Sequence, residues 1–426
     1  MRDKIFALAD VNNCFVSIER VFQPHLNNKP VLVLSSNDGC VIARSNEVKD
    51  LGIEMSAPHF KIKQLIKDHN IHIFSSNFAL YSDMSRRIMA FLKFMNPHME
   101  VYSVDEAFLD FSGIQNPYAA ALDMRQKVSQ GLGVPMSFGI ATTKTLTKIA
   151  NSLAKKSASG VVELLQNDII DDVLKSLTVD KIWGIGKQTA LSLRGWGFYT
   201  AYDLKTADPR SIRQRFSVVT ERIVRELNGI SCLSFDEVRD SKKSMRVSKS
   251  FSQKVYAFDL IEQALSTFTA SLCQKLREQK QCTNAFSIFL KVKTDKPQGD
   301  LISKEITLST FTNNTFTIVK AAVLAAKNLF KANTPYKAVG ITCYNLQPED
   351  LPQTKSLFCD KMNANTKARN KHQEKSLKAM DAVNNKFGKG ALRLLSEGLD
   401  QSAWKAASDH KSQAFTTNWK ELMVVT

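Results

Sequence analysis

The chain of 426 residues lacks any uninterrupted apolar run of about 18 residues, so no segment reads as a membrane-spanning helix. Its start, MRDKIFALAD, reaches the charged Asp10 before a signal-peptide apolar stretch is complete. Cysteine is scarce and poorly spaced for metal binding. Seven residues, at 14, 40, 232, 273, 282, 343 and 359, form neither a C-x-x-C nor a Cys/His ligand pattern. That excludes the usual structural zinc site and fits reduced thiols in the cytoplasm. No internal repeat of 20 to 50 residues occurs. Acidic residues are in deficit: 41 Asp and Glu against 58 Lys and Arg leave a net charge of +17. The surplus suits a polyanionic partner, nucleic acid or an anionic membrane surface, with solubility alone as the plainer reading. Apolar residues, at 43%, suffice for a sizeable core, and the length implies roughly two to four domains.

Local patterns give a mixed α and β chain. Ile5 to Ala9 is an apolar run ending at Asp10, as in a strand buried on both faces with a carboxylate at its end. Residues 30–34 and 40–43 read as short strands, and 46–51, 59–68 and 79–95 as helices. In EVYSVDEAFLDF, residues 100–111, two strands flank Asp105 and Glu106 as a hairpin. Helix 117–131, strand 136–141 and helix 143–156 follow, the last with an apolar stripe and with Lys144, Lys148 and Lys155 on another side. Residues 166–230 read as a helical block, and 240–250 as a basic, Ser-rich linker. From 246 to about 343 the order β-α-β-β-α-β predicts a split βαβ unit, a four-stranded antiparallel sheet with two helices on one face. Beyond Leu346 the chain reads as a linker and a moderately apolar tail.

Asp10, Asp105 and Glu106 are the candidate chemical centre. Phosphoryl transfer needs hard anionic oxygens to hold divalent cations, and Asp offers them on a short stem. Neighbours in a strand point to opposite faces, so Asp105 and Glu106 can serve one site only if their turn is irregular. An acidic pair in a turn is ordinarily just solvated, and the lysine face of 143–156 is either a solvated helix face or, following a strand that neighbours the acidic hairpin, a set of phosphate contacts. Gly184-Ile185-Gly186 followed by Lys187 is either a simple tight turn or a helix N-terminus whose backbone N–H groups meet a phosphate.

Several separated blocks go further: FALADVN, LSSNDGCVIARSNEVKDLGI, FSSNFALYSDMSRRIM, VYSVDEAFLDFSG, FGIATTKTLTKIAN and VDKIWGIGKQ. Through these blocks the chain resembles the Y-family DNA polymerases over essentially its whole length. The resemblance implies an α+β multidomain right hand. A ferredoxin-like palm would lie at 1–17 and 78–165, small fingers at 18–77 and a helical thumb with a helix-hairpin-helix at 166–238. A split βαβ little finger would lie at 243–346, and a linker with a clamp-binding peptide and C-terminal tail at 347–426. It implies two Mg²⁺ ions on Asp10, Asp105, Glu106 and the carbonyl of Val11. It also implies a steric gate at Phe15 against ribonucleotides, triphosphate contacts from Lys49 and Lys155, and DNA-backbone contacts from Gly184, Gly186 and Lys187. Gln353, Leu357 and Phe358 resemble a degenerate peptide for the sliding clamp. Asn12, Cys14, Asn46 and Lys49 depart from common family residues, and Lys49 offers a point charge in place of an arginine fork.

The implied activity is template-directed, error-prone translesion synthesis without proofreading, in the DNA-damage (SOS) response. Its substrates would be primer–template DNA and dNTPs, and its partners a processed UmuD-like dimer, RecA and the sliding clamp. Two alternatives use the same features: a two-metal nuclease, against which Phe15 and the triphosphate lysines argue, and a catalytically silent DNA-binding protein of the same fold.

Overall fold

The structure, a computed structural model, describes residues 4–235, 242–294, 299–351, 364–399, 404 and 407–422, with side chains omitted over 364–371. The chain divides into two compact units, one of residues 1–239 with 409–426 and the other of residues 240–408.

The first unit begins with β1 (Phe6–Val11) and α1 (Cys14–Phe22). Next come β2 (Val31–Leu34), β3 (Val41–Arg44), α2 (Asn46–Asp50), α3 (His59–Asp68) and β4 (His72–Ser75). The long helix α4 (Phe78–Met95), the hairpin β5 (Met99–Val101) and β6 (Glu106–Asp110), and α5 (Pro117–Leu132) follow. Then come β7 (Met136–Ala141), α6 (Lys144–Ala154) and β8 (Val161–Leu164). The principal sheet has the order β5-β6-β1-β7-β8, with β1 antiparallel to both neighbours and β7 parallel to β8.

Every residue of β1 is buried, as its unbroken apolar run requires of a central strand covered on both faces. The period of two then sorts its side chains. Ala7, Ala9 and Val11 join the core built with α4 and α5, including Leu80, Ile88, Ala121 and Val128. Leu8 and Asp10 take the opposite face, where α6 lies: the Asn151 side-chain amide donates to the Leu8 carbonyl at 3.5 Å. The close seat of α6 depends on Gly139 in β7. A Cβ there would stand 2.2 Å from the backbone nitrogen of Asn151 and 2.5 Å from the Thr147 carbonyl oxygen, so only glycine lets helix and strand approach this far.

A second, three-stranded sheet has the order β3-β2-β4, with its own small core of Leu32, Leu34, Val41, Val48, Ile53, Ile62 and Ile71. The helical block is α7 (Asn167–Ser176), α8 (Lys187–Gly195), α9 (Ala201–Lys205), α10 (Pro209–Arg215) and α11 (Val218–Leu227), as its sequence predicts. These helices share an apolar core with α6, in which Leu174, Leu193, Leu204 and Leu227 meet Leu146 and Ile149.

The second unit follows the split βαβ plan: β9 (Ser244–Val255), α12 (Phe258–Glu278), β10 (Gln281–Val292), β11 (Asp300–Thr312), α13 (Thr315–Leu329) and β12 (Tyr336–Pro348). The sheet is antiparallel throughout, in the order β11-β10-β12-β9. Phe286, Ile288 and Leu290 of β10 pack with Leu265, Phe268 and Leu272 of α12 and Ile318 and Ala322 of α13. The sequence gives no element after β12, yet the structure adds α14 (Ala364–Phe387), of 24 residues. Its Asp381 forms a two-pronged ion pair with Arg277 of α12, at 2.7 and 2.8 Å. Among the described residues no helix is long and apolar enough to cross a membrane.

Candidate active site

Asp10 and Glu106 are directly opposed across the β1–β6 pair, so their side chains leave the sheet on the same face. Asp105 belongs to the irregular turn before β6, the geometry that an acidic pair needs if both members are to serve one place. Its carbonyl oxygen accepts a hydrogen bond from the Val11 N–H at 3.0 Å, which ties the turn to the end of β1. The Ser103 hydroxyl donates to Asp105 Oδ1 at 2.5 Å and accepts from the Glu106 N–H at 3.1 Å, fixing the turn from within.

The covering helix α6 supplies the countercharge. Lys148 and Lys155 are seven residues apart, two turns along one helix face. Lys155 Nζ lies 2.7 Å from Asp10 Oδ2, and Lys148 Nζ lies 2.7 Å from Glu106 Oε1. Lys144, one turn earlier, is buried and spent on Glu100 at 2.5 Å and on the Ser234 carbonyl at 2.7 Å. The lysine side of α6 is thus largely an ion-paired face, with the Lys144 ammonium buried and already partnered. Lys148 also stands 4.4 Å from the centre of the Tyr102 ring.

The two carboxyls are held differently. Asp10 is 3% exposed. Burial pushes it up to about 7 even though Lys155 pulls the other way. Burial also acts to raise Glu106, but the hydrogen bond and charge of Lys148 overcome it and hold Glu106 below the usual range. A buried carboxyl left this costly, with an ammonium on a half-exposed stem as its cation, is one that a divalent ion would stabilise. The donor set of two aspartates, a glutamate and a backbone carbonyl is all hard oxygen and suits Mg²⁺. Among the described residues no three His, Cys, Asp or Glu side chains already stand grouped around a metal position. Lys155, Lys148 and Ser103 hold the three carboxylates instead.

Asp10 and Asp105 open into a cleft of about 310 Å³, lined also by Val11, Cys14, Phe15, Arg44, Asn46, Lys49 and Lys155. Phe15 lies in the first turn of α1, half-buried, stacked on Tyr81 with centroids 4.5 Å apart and 12° between planes. Phe78 meets it edge-on at 6.1 Å. Opposite, Lys49 Nζ reaches Asn13 Oδ1 at 2.7 Å and Asn46 Oδ1 at 3.0 Å. Partial burial, then the nearby charges of Arg44 and Lys155, lower its affinity for a proton. Three cations therefore face this cleft with few acids between them. Burial, with the nearby Asp105 and Asp10, pushes the Cys14 thiol's pKa up.

Of the residues expected from sequence to share one site, the structure brings Asp10, Asp105, Val11, Phe15, Lys49 and Lys155 to one cleft and leaves Glu106 beside it on Lys148. The sequence reading misses Ser103 and Arg44. A serine two residues before an aspartate in a turn is the signal that could have found Ser103. Gly184, Gly186 and Lys187 lie elsewhere in the same unit. Gly184 has φ +88°, and Gly186 caps α8 with open space where a Cβ would stand. Gln353, Leu357 and Phe358 fall outside the described residues.

Comparison with known proteins agrees with the geometry. Residues 9–152 match the impB/mucB/samB family, residues 242–356 the C-terminal domain of that family, and residues 375–425 a domain of unknown function (DUF4113). The chain is 36% identical to Protein ImpB of Salmonella typhimurium over 98% of this chain and 99% of that protein. It is 35% identical to Protein UmuC of Salmonella typhimurium strain LT2 over 99% of this chain and 100% of that protein. A solved Y-family DNA polymerase chimera, Dbh-Dpo4(243-245)-Dbh, superposes with a TM-score of 0.65 at 18% identity, covering 81% of this chain and 99% of that one. With both parts of the family matched and relatives similar from end to end, the chain belongs to the impB/mucB/samB family, on the fold of a Y-family DNA polymerase.

Proposed function

We propose that the chain is a DNA-directed DNA polymerase that carries out error-prone translesion synthesis in the DNA-damage (SOS) response. One observation carries the reading: a buried, costly Asp10 opposite Glu106 and bonded through Val11 to the Asp105 turn, at the end of a cleft floored by Phe15 and faced by three cations. The right-hand plan places the palm at 1–17 and 78–165, the fingers at 18–77, the thumb at 166–238 and the little finger at 243–346.

Asp10, Asp105, Glu106 and the Val11 carbonyl would hold two Mg²⁺ ions. Bound there, the pair activates the primer hydroxyl and neutralises the leaving pyrophosphate. Lys155 and Lys49 take the triphosphate, Lys155 turning from Asp10 as the nucleotide arrives. Phe15, backed by Tyr81, lies under the sugar and leaves no room for a 2′-hydroxyl. Gly184, Gly186 and Lys187, at the start of α8, grip the DNA backbone without reading bases. A cleft that tests base-pair shape with few contacts discriminates weakly between right and wrong pairs, which is how damaged templates are tolerated.

A processed UmuD-like dimer, RecA and the sliding clamp are the partners, the clamp through Gln353, Leu357 and Phe358. The six described cysteines are all unpaired, which suits a cytoplasmic protein. The test is primer extension with Mg²⁺ and dNTPs on undamaged and abasic templates, with and without those partners. Extension past the abasic site supports the proposal. Shortened primers without extension would make the chain a nuclease.

A further inference from the structure

Residues 409–422 return to the first unit. They do so by specific bonds. The backbone of His410 exchanges hydrogen bonds with Ser75: the Ser75 N–H donates to the His410 carbonyl at 3.0 Å, and the His410 N–H donates to Ser75 Oγ at 3.0 Å. Lys411 pairs with Ser75 as a parallel bridge, covering the end of β4, an edge strand of the three-stranded sheet. Phe415 lies flat on Phe22 of α1, with centroids 4.9 Å apart and 4° between planes.

Between these anchors Ser412 reaches two fully buried polar residues. One is Asn77, the N-cap of α4, whose side-chain nitrogen lies 3.0 Å from Ser412 Oγ, 3.2 Å from the Ser412 carbonyl and 3.1 Å from the Gln413 carbonyl. The other is Glu19 of α1, which accepts from the Ser412 hydroxyl at 2.9 Å and from the Tyr81 hydroxyl at 2.6 Å on the same oxygen. Gln23 also donates to Glu19, at 3.3 Å, and among the described residues no cation pairs with it. A buried carboxyl without a cation depends on each donor it has.

Both routes end at the floor of the cleft. Asn77 caps the helical turn that carries Phe78 and Tyr81, and those two rings form the seat of Phe15. Glu19 stands one turn beyond Phe15 on α1 and grips Tyr81 from below.

We propose that residues 409–422, within the domain of unknown function, are a clasp that positions the sugar-contacting floor through Ser412, Glu19 and Asn77. Ser412 is a positioning residue, since it touches neither nucleotide nor metal. The role in sugar choice rests on Phe15 being the floor under the sugar; the clasp itself does not.

The test uses the full chain with Ser412→Ala, Ser412→Thr and Phe415→Ser, and two readouts. The first is amide hydrogen exchange over 14–22 and 75–84, which needs no activity. The second is the ratio of ribonucleotide to deoxynucleotide insertion. Ser412→Ala should raise exchange in both segments and increase ribonucleotide insertion roughly tenfold, the effect of one lost bond to a buried carboxyl, and Ser412→Thr should restore both. Phe415→Ser should do at least as much. If Phe415→Ser fails to fold, the exchange of Ser412→Ala still decides. Faster exchange confined to 409–418, with 14–22 and 75–84 unchanged, would overturn the clasp. Changed exchange with unaltered sugar choice would mean that the tail stabilises these segments without positioning the floor, and would overturn the clasp's role in sugar choice. A wild-type chain that extends no primer even with the UmuD-like dimer, RecA and the clamp would count against the polymerase reading and leave the exchange test of the clasp intact.

Discussion

At the scale of single residues the site turns on how each carboxyl is held. Asp105→Asn keeps the Ser103-braced turn but removes a hard anionic oxygen. It should lower primer extension by roughly 10²- to 10³-fold while leaving primer–template affinity nearly unchanged, as single-turnover extension and a binding titration would show. Phe15→Ala opens the floor. Ribonucleotide insertion should rise by about 10- to 100-fold, measured by competing rNTP and dNTP in the same extension, and an unchanged ratio would sink the gate. Glu19 gives a pH effect. Burial raises its pKa above 4.5 against the pull of Tyr81, Ser412 and Gln23, so the folded chain keeps a proton that the unfolded chain releases. Stability should therefore fall as pH rises from about 4.5 through the raised value, and Glu19→Gln should flatten that slope in thermal unfolding across the range.

At the scale of elements, how closely α6 sits on the sheet decides the geometry of the site. Gly139→Ala sets a Cβ 2.2 Å from the Asn151 nitrogen, which is backbone and cannot swing aside, so α6 must lift. The expected cost is about 1–3 kcal/mol, seen as a drop of several degrees in unfolding temperature, with weaker extension as Lys148 and Lys155 leave their partners. Strong periodicity made many elements legible. Strand 136–141 and helix 59–68 begin and end where the sequence places them, and all six elements of the split βαβ unit are found. Weak elements were not legible. β4 has four residues, three of them only partly buried, and so shows no clean alternation. In α14 the buried positions include Leu377, Met380 and Asn384, too thin a stripe over 24 residues to read through a lysine-rich background. The lysine pairs were illegible for a different reason. Lys155 meets Asp10 and Lys148 meets Glu106 only through the β1–β6 register and the seat of α6, neither of which is written near those residues.

At the scale of the whole molecule the net charge of +17 suits a polyanionic partner. Binding to primer–template should weaken steeply with salt, each phosphate contact adding about 0.9 to the log–log slope, and Lys187→Ala should reduce that slope by about one if the start of α8 lies on the DNA backbone. Anisotropy titrations at several salt concentrations measure both. The division into units has a consequence in time. The unit with the candidate cleft holds residues 1–239 and also 409–422, with 240–408 translated in between. At ~5–20 residues per second the ribosome needs roughly ten to thirty seconds to cross that gap, during which Phe22 waits without its stacking partner and Glu19 without Ser412. A nascent chain stopped in those seconds carries every carboxylate of the site and still lacks the piece that seats its floor.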